Sequence, residues 1–196
     1  MKIPFSDLQF VFLNEEHDLS FFQCRESELH NFLSENALKD QTNRVSVTRL
    51  IFYKGKIVGY FTLVNDCIEV RAIEETDGEL GYPYTKYPAI KIARLATHND
   101  FQSMGIGKNM LSKILTITIK LSDYVGCRLI TVDSKPNAVT FYQKFGFKIA
   151  KRKNHDTISM YRDYHKALLQ MQSDTKQLSQ FSDVELSNQP SRNTTR

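Results

Sequence analysis

The 196-residue chain has no tryptophan, three cysteines, five prolines and eight glycines, and each scarcity narrows what it can be. Cys24, Cys67 and Cys127 stand far apart without a Cys-x-x-Cys pair. That excludes a disulfide framework and fits free thiols in a reducing compartment, so the cytoplasm is the expected location. No run approaches the roughly 18 consecutive apolar residues of a spanning helix, and no membrane partner is expected. The opening segment, MKIPFSDLQF, lacks the apolar stretch and small-residue cleavage site of a signal peptide. His17, His30, His98, His155 and His165 are scattered without metal-ligand spacing, so no metal is expected. A phosphate-binding Gly-Lys-Ser/Thr and a dinucleotide Gly-x-Gly-x-x-Gly are both missing.

What is present suffices for a core. Hydrophobic residues make up 41% and charged residues 24%, the balance of an ordinary globular protein. Net charge is +4 with a pI near 8.9. Beyond residue 169, Lys176, Arg192 and Arg196 cancel Asp174, Asp183 and Glu185, so the excess sits on the preceding residues. Such an excess fits an anionic ligand or partner as well as a plain solvated surface.

From 169 to 196 the chain is rich in Ser, Gln, Asn and Thr, and its sparse apolar residues follow no period. Burial there cannot offset ordering entropy, so this segment reads as a flexible polar tail behind a single domain at 1–168. Within the domain, strands and helices alternate. A short strand is expected at 10–13. A helix opening at Ser27 places Leu29, Phe32, Leu33, Asn36 and Ala37 on one face. Runs at 45–53 and 57–64 flank Lys54-Gly55-Lys56, the mark of an antiparallel hairpin. The exposed edge of that hairpin would suit a homodimer. A polar, turn-rich stretch at 74–88 reads as mobile, and a strand follows at 89–97. Next comes a helix with Met110, Leu111, Ile114, Leu115, Thr118 and Leu121 on its buried stripe, then a strand at 128–133. Pro136 opens a further helix to about Phe145, Gly146 suits the left-handed cap, and strands are expected at 147–150 and 157–161. The order implies a mixed α/β domain with a partly antiparallel central sheet.

Gln102-Ser103-Met104-Gly105-Ile106-Gly107-Lys108 lies between a strand and a helix. Two glycines one residue apart let backbone approach a ligand, and the amides that open a helix suit a pyrophosphate. A glycine-rich turn that merely caps the helix accounts for the same pattern.

With the strand Ile92-Ala93-Arg94-Leu95-Ala96-Thr97 and the string Asn137-Ala138-Val139-Thr140-Phe141-Tyr142-Gln143-Lys144-Phe145-Gly146-Phe147, this turn resembles the GNAT superfamily of acyl-CoA-dependent N-acyltransferases. The stretch at 24–40 and the hairpin ending Val58-Gly59-Tyr60-Phe61-Thr62-Leu63 resemble its toxin-like branch, whose members acetylate aminoacyl-tRNA. The resemblance covers nearly all of 10–161. It implies acetyl-CoA as donor, held between splayed strands at 89–97 and 128–133. Backbone groups of Leu95, Ala96 and Thr97 would hold the thioester carbonyl and pantetheine. Gln102, Ser103, Met104, Gly105, Ile106, Gly107 and Lys108 would hold the pyrophosphate, and Asn137 and Phe141 would line the pantetheine arm. Tyr142 would be the general acid that protonates the departing thiolate. A phenol with a reference pKa of about 10 is protonated at neutral pH and able to donate.

Helical spacing of Ala138, Phe141, Tyr142 and Phe145 also fits a packed aromatic face. Glu69, Glu74, His98 and Asp133 are candidates for a general base, with water as the alternative. Arg94 either pairs with a buried acid or faces the acceptor cleft. The acceptor stays open among a small amine, a protein amine and aminoacyl-tRNA. For tRNA, Arg71, Lys86, Lys91, Arg94, Lys144, Lys148, Lys151, Arg152 and Lys153 would line one side of the cleft, unless 144–153 is a solvated helix end and turn. The rival from another class is a non-catalytic acyl-CoA-binding sensor or regulatory module.

Overall fold

The computed structural model describes residues 2–153, 156–165 and 168, so the expected tail at 169–196 lies outside the described residues. Seven strands form one sheet: β1 (Gln9–Phe12), β2 (Val47–Tyr53), β3 (Lys56–Glu69), β4 (Lys86–Thr97), β5 (Leu129–Ser134), β6 (Lys148–Lys153) and β7 (Ile158–Asp163). Their spatial order is β1-β2-β3-β4-β5-β7-β6, antiparallel throughout except for β4 with β5. The mixed, partly antiparallel sheet expected from the sequence is therefore present. The β2–β3 hairpin, however, carries β1 on one flank and β4 on the other. Sheet edges are β1 and β6, so the exposed hairpin edge invoked for a dimer does not exist.

Alternation within the strands sends side chains to two cores. Ile51, Phe61 and Ile92 join Met110 and Ile114 of helix α3 (Ile106–Ser122) on one face. Leu50, Tyr60 and Ala96 join Leu33 and Ala37 on the other, beneath helices α1 (Ser27–Asn31) and α2 (Ala37–Thr42). A π-helical turn, Phe32–Asn36, separates those helices. Its wider spacing turns Asn36 out to solvent, which removes the one polar member from the expected buried face.

A third cluster gathers Ile73, Tyr87, Leu129 and Tyr161. It anchors the stretch at 74–88, which is tied down rather than loose. Tyr161 donates from its hydroxyl to Asp77 Oδ2 (2.8 Å) and accepts from Glu74 N–H (2.8 Å). Lys148 bridges Glu74 and Asp77, and Glu79 N–H donates to the Tyr87 hydroxyl. Glu74 and Asp77 find their partners, Tyr161 and Lys148, on distant strands, which no local pattern reveals.

Candidate active site

The site begins with a defect in strand pairing. Between β3 and β4, Leu63 faces Ile92 while Thr62 faces Arg94, which leaves Ala93 as an extra, bulged residue. Pairing of β4 with β5 stops at the same point, with Ile92 opposite Val132. From there β5 continues along β7, and β4 continues along β3 to Thr97. The two central strands part, and the β5-facing edge of residues 93–97 pairs with no strand.

The wedge opens into a cleft of about 1430 Å³. Leu95, Ala96, Thr97, Gln102, Ser103, Gly105, Ile106, Gly107, Lys108, Asn137, Phe141 and Tyr142 all line it. Met104 does not join them. Its side chain packs against the α3-side core, and its carbonyl accepts from Ile3 N–H at 2.9 Å.

The two glycines of the turn have different reasons. Gly105 caps α3 with φ at +88°, a conformation that L side chains adopt only at a cost. A Cβ on Gly107 would stand 3.0 Å from Cζ of Phe141. The ring of Phe141, carried by helix α4 (Val139–Gln143), thus rests on the backbone of α3 and borders the cleft beside the glycine turn.

Tyr142 is only 6% exposed. Its ring packs edge-on against Phe141 and Phe147, with centroids 5.1 Å and 5.4 Å away. Burial raises its phenol above the ordinary tyrosine range, so the protonated form is kept. The residue nonetheless lines the cleft, and no described residue hydrogen-bonds its hydroxyl. Packed aromatic and cleft-facing phenol are therefore the same residue.

Of the candidate bases, Asp133 alone lines the cleft, and it is tied to Lys91 and the Ser159 hydroxyl. Glu69 pairs with Arg71 and Glu74 with Lys148, while His98 accepts from Asp100 N–H. The expected basic stripe is correspondingly reduced, because Arg71, Lys91 and Lys148 each have a carboxylate partner. Lys144 and Arg94 line the cleft, and neither has one among the described residues. All three cysteines are free. Cys24 reaches the cleft, but burial raises its thiol, which disfavours the thiolate.

Several lining residues escape a reading of the sequence. Lys2 donates to the Ser103 carbonyl (3.2 Å), so the N-terminal segment lies along the glycine turn. Lys135 reaches Glu26 (2.8 Å) and Glu28 (3.2 Å), joining the segment after β5 to the start of α1. Lys135 holds the Glu26 carboxyl below its usual range. No period or motif announces either contact, since each joins segments about a hundred residues apart.

Residues 13–162 match the family model described as an acetyltransferase (GNAT) domain. The chain belongs to the GNAT acetyltransferase family. Among solved structures, it is similar to AtaT complexed with acetyl-methionyl-tRNAfMet, at 23% identity and a TM-score of 0.76, covering 84% of this chain and 99% of that one. A tyrosine-to-phenylalanine mutant of KacT aligns at 21% identity and a TM-score of 0.71, over 78% of this chain and 94% of its own. AtaTR bound with acetyl-CoA aligns at 23% and 0.70, over 85% and 99%. At these identities the likeness to the three structures is one of fold. No helix among the described residues is long and apolar enough to cross a membrane.

Proposed function

We propose that this GNAT protein transfers the acetyl group of acetyl-CoA to the α-amine of aminoacyl-tRNA, with Tyr142 as the proton donor. The observation that carries the reading is the parting of β4 from β5 at Ile92 and Val132, which opens one cleft onto a free strand edge, the glycine turn and Tyr142.

The cleft suits the donor's chemistry. Amides at the start of the 17-residue helix α3 offer hydrogen bonds and the positive end of the helix dipole to a pyrophosphate. Lys2, Lys108 and Lys144 line the cleft with no carboxylate partner among the described residues, so their charge is available to phosphates. When bound, acetyl-CoA supplies an activated thioester carbonyl and a sulfur leaving group.

Unpaired backbone groups of Leu95 to Thr97 would hold that carbonyl and the pantetheine, and Asn137 and Phe141 would border the arm. The Tyr142 phenol, kept protonated by burial, would give its proton to the leaving sulfur. An acceptor amine that arrives neutral attacks without prior deprotonation. The proton its nitrogen sheds after the C–N bond forms passes to water, and solvent restores the proton that Tyr142 gives to sulfur, consistent with Asp133 being held by Lys91.

Support for the acceptor is of two kinds. Beyond the three lysines offered to the donor, Arg25 and Arg94 line the cleft with no ion-paired carboxylate among the described residues, a balance that favours a second anionic ligand. AtaT, similar in fold, has been captured with acetyl-methionyl-tRNAfMet. The test is an acceptor panel with acetyl-labelled acetyl-CoA: bulk aminoacyl-tRNA, small primary amines and peptides. Label on the aminoacyl-tRNA, with equimolar release of free CoA, is the expected result. Binding of acetyl-CoA without turnover on any acceptor would favour the sensor.

A further inference from the structure

We infer that Arg94 is the residue that binds the aminoacyl end of the acceptor, through an oxygen next to the attacking amine. The inference rests on the acyl-transfer reading above and adds to it the group that reads the acceptor.

The bulge at Ala93 decides where Arg94 goes. Side chains of a regular strand alternate, so Ile92 and Arg94 would share a face, and that face is the α3 core. The inserted residue reverses the parity. Ile92 and Leu95 now both pack with the α3 core, while Ala96 packs beneath α1 and α2. Arg94 is carried to the α1 side, where its guanidinium lies 4.8 Å from the ring centre of Phe32. A bulge at the mouth of a site often serves to re-aim one side chain.

Arg94 is not ion-paired there. Two other cations of the cleft are matched, Lys91 by Asp133 and Lys135 by Glu26 and Glu28. No carboxylate among the described residues lies within ion-pair distance of Arg94. Its Nη1 donates to the Ala93 carbonyl at 2.8 Å, and its Nε is buried with no hydrogen-bond partner. A half-buried guanidinium satisfied by one carbonyl and one aromatic face has donors to spare, and their natural partners are carbonyl or anionic oxygens. Because Arg94 adjoins Leu95, where the thioester carbonyl is placed, an oxygen held by it would come from the part of the acceptor that carries the amine. The aminoacyl ester has such an oxygen beside its α-amine.

The experiment compares wild type with Arg94→Gln and Arg94→Lys, using acetyl-CoA and bulk aminoacyl-tRNA, with uncharged tRNA as inhibitor. Loss of a charged hydrogen bond predicts a fall of about 10- to 100-fold in kcat/KM for aminoacyl-tRNA in Arg94→Gln. Arg94→Lys, which keeps the charge, should recover part of it. The melting shift given by acetyl-CoA and the inhibition constant of uncharged tRNA should stay within about twofold of wild type, because neither ligand carries the aminoacyl ester. An Arg94→Gln protein with normal melting temperature and unchanged kcat/KM overturns the inference while leaving the proposed function standing. An equal loss of acetyl-CoA binding, or of uncharged tRNA inhibition, also overturns it, because Arg94 would then be structural or would read the tRNA body. If Arg94→Gln does not fold, unchanged kinetics in Arg94→Lys with its shorter head and single charge centre overturn it equally. A wild-type protein that acetylates no aminoacyl-tRNA removes the proposed function and this inference together.

Discussion

Tyr142 joins two demands on one side chain. Its ring fills a place in the α3-side core, and its hydroxyl is free of described hydrogen bonds at the cleft. Burial raises the phenol, so folding favours its neutral form: any contribution to stability is full below the reference pKa of about 10 and is lost only as pH rises further. A pH profile of transfer follows. The acceptor kcat/KM should climb as the α-amine loses its proton, around its reference value of about 7.7 to 8.0, and then hold level to about pH 9.5. A descending limb below pH 9 would assign the proton donor to another group. At this scale the sequence was half legible. The Phe141-Tyr142 pair stood out because the two residues sit together in one string. The direction of Arg94 did not, because a single bulged residue inverts the alternation on which any strand reading depends.

The strand–turn–helix element built from β4, the glycine turn and α3 is where backbone conformation and steric approach make separate demands. Gly105→Ala places a side chain at φ +88° and should cost about 1–2 kcal/mol. The nearest protein atom to that new Cβ is Cδ of Lys2 at 3.6 Å, so the cost within the protein is conformational rather than steric. Gly107→Val drives methyl groups into Phe141 and should part α4 from α3. Thermal shift assays should find the variant several degrees less stable and without the acetyl-CoA shift. An acetyl-CoA shift kept in Gly107→Val, or unchanged stability in Gly105→Ala, would contradict these roles. Most elements were legible because apolar periodicity is local. The hairpin closes at Lys54-Gly55 and the α3 stripe buries Met110, Leu111, Ile114 and Thr118 as the spacing predicts. The anchoring of 74–88 was not legible, since its contacts are made by Tyr161 and Lys148, far along the chain. The π-helical turn at Phe32–Asn36 was missed for the opposite reason: one extra residue per turn barely alters a helical pattern.

For the whole molecule, charge and topology meet in the cleft. The excess of cations lining it should make acceptor binding depend on counterion release. The KM for aminoacyl-tRNA is expected to rise at least about tenfold between 50 and 200 mM salt, with acetyl-CoA affinity changing far less. Steady-state kinetics at graded salt read this directly, and a flat acceptor KM would exclude a nucleic-acid substrate. The central claim, however, concerns proton donation at the wedge between β4 and β5, and Tyr142→Phe tests it most directly. The substitution keeps the ring and its packing against Phe141 and Phe147 and deletes one hydroxyl. Stability should change by about 1 kcal/mol or less. Acetyl-CoA affinity should persist while kcat falls by about a hundredfold, the lower end for a positioned proton donor, because a thiolate needs less help than an alkoxide. Turnover within about threefold of wild type would contradict the account and return Tyr142 to the core alone.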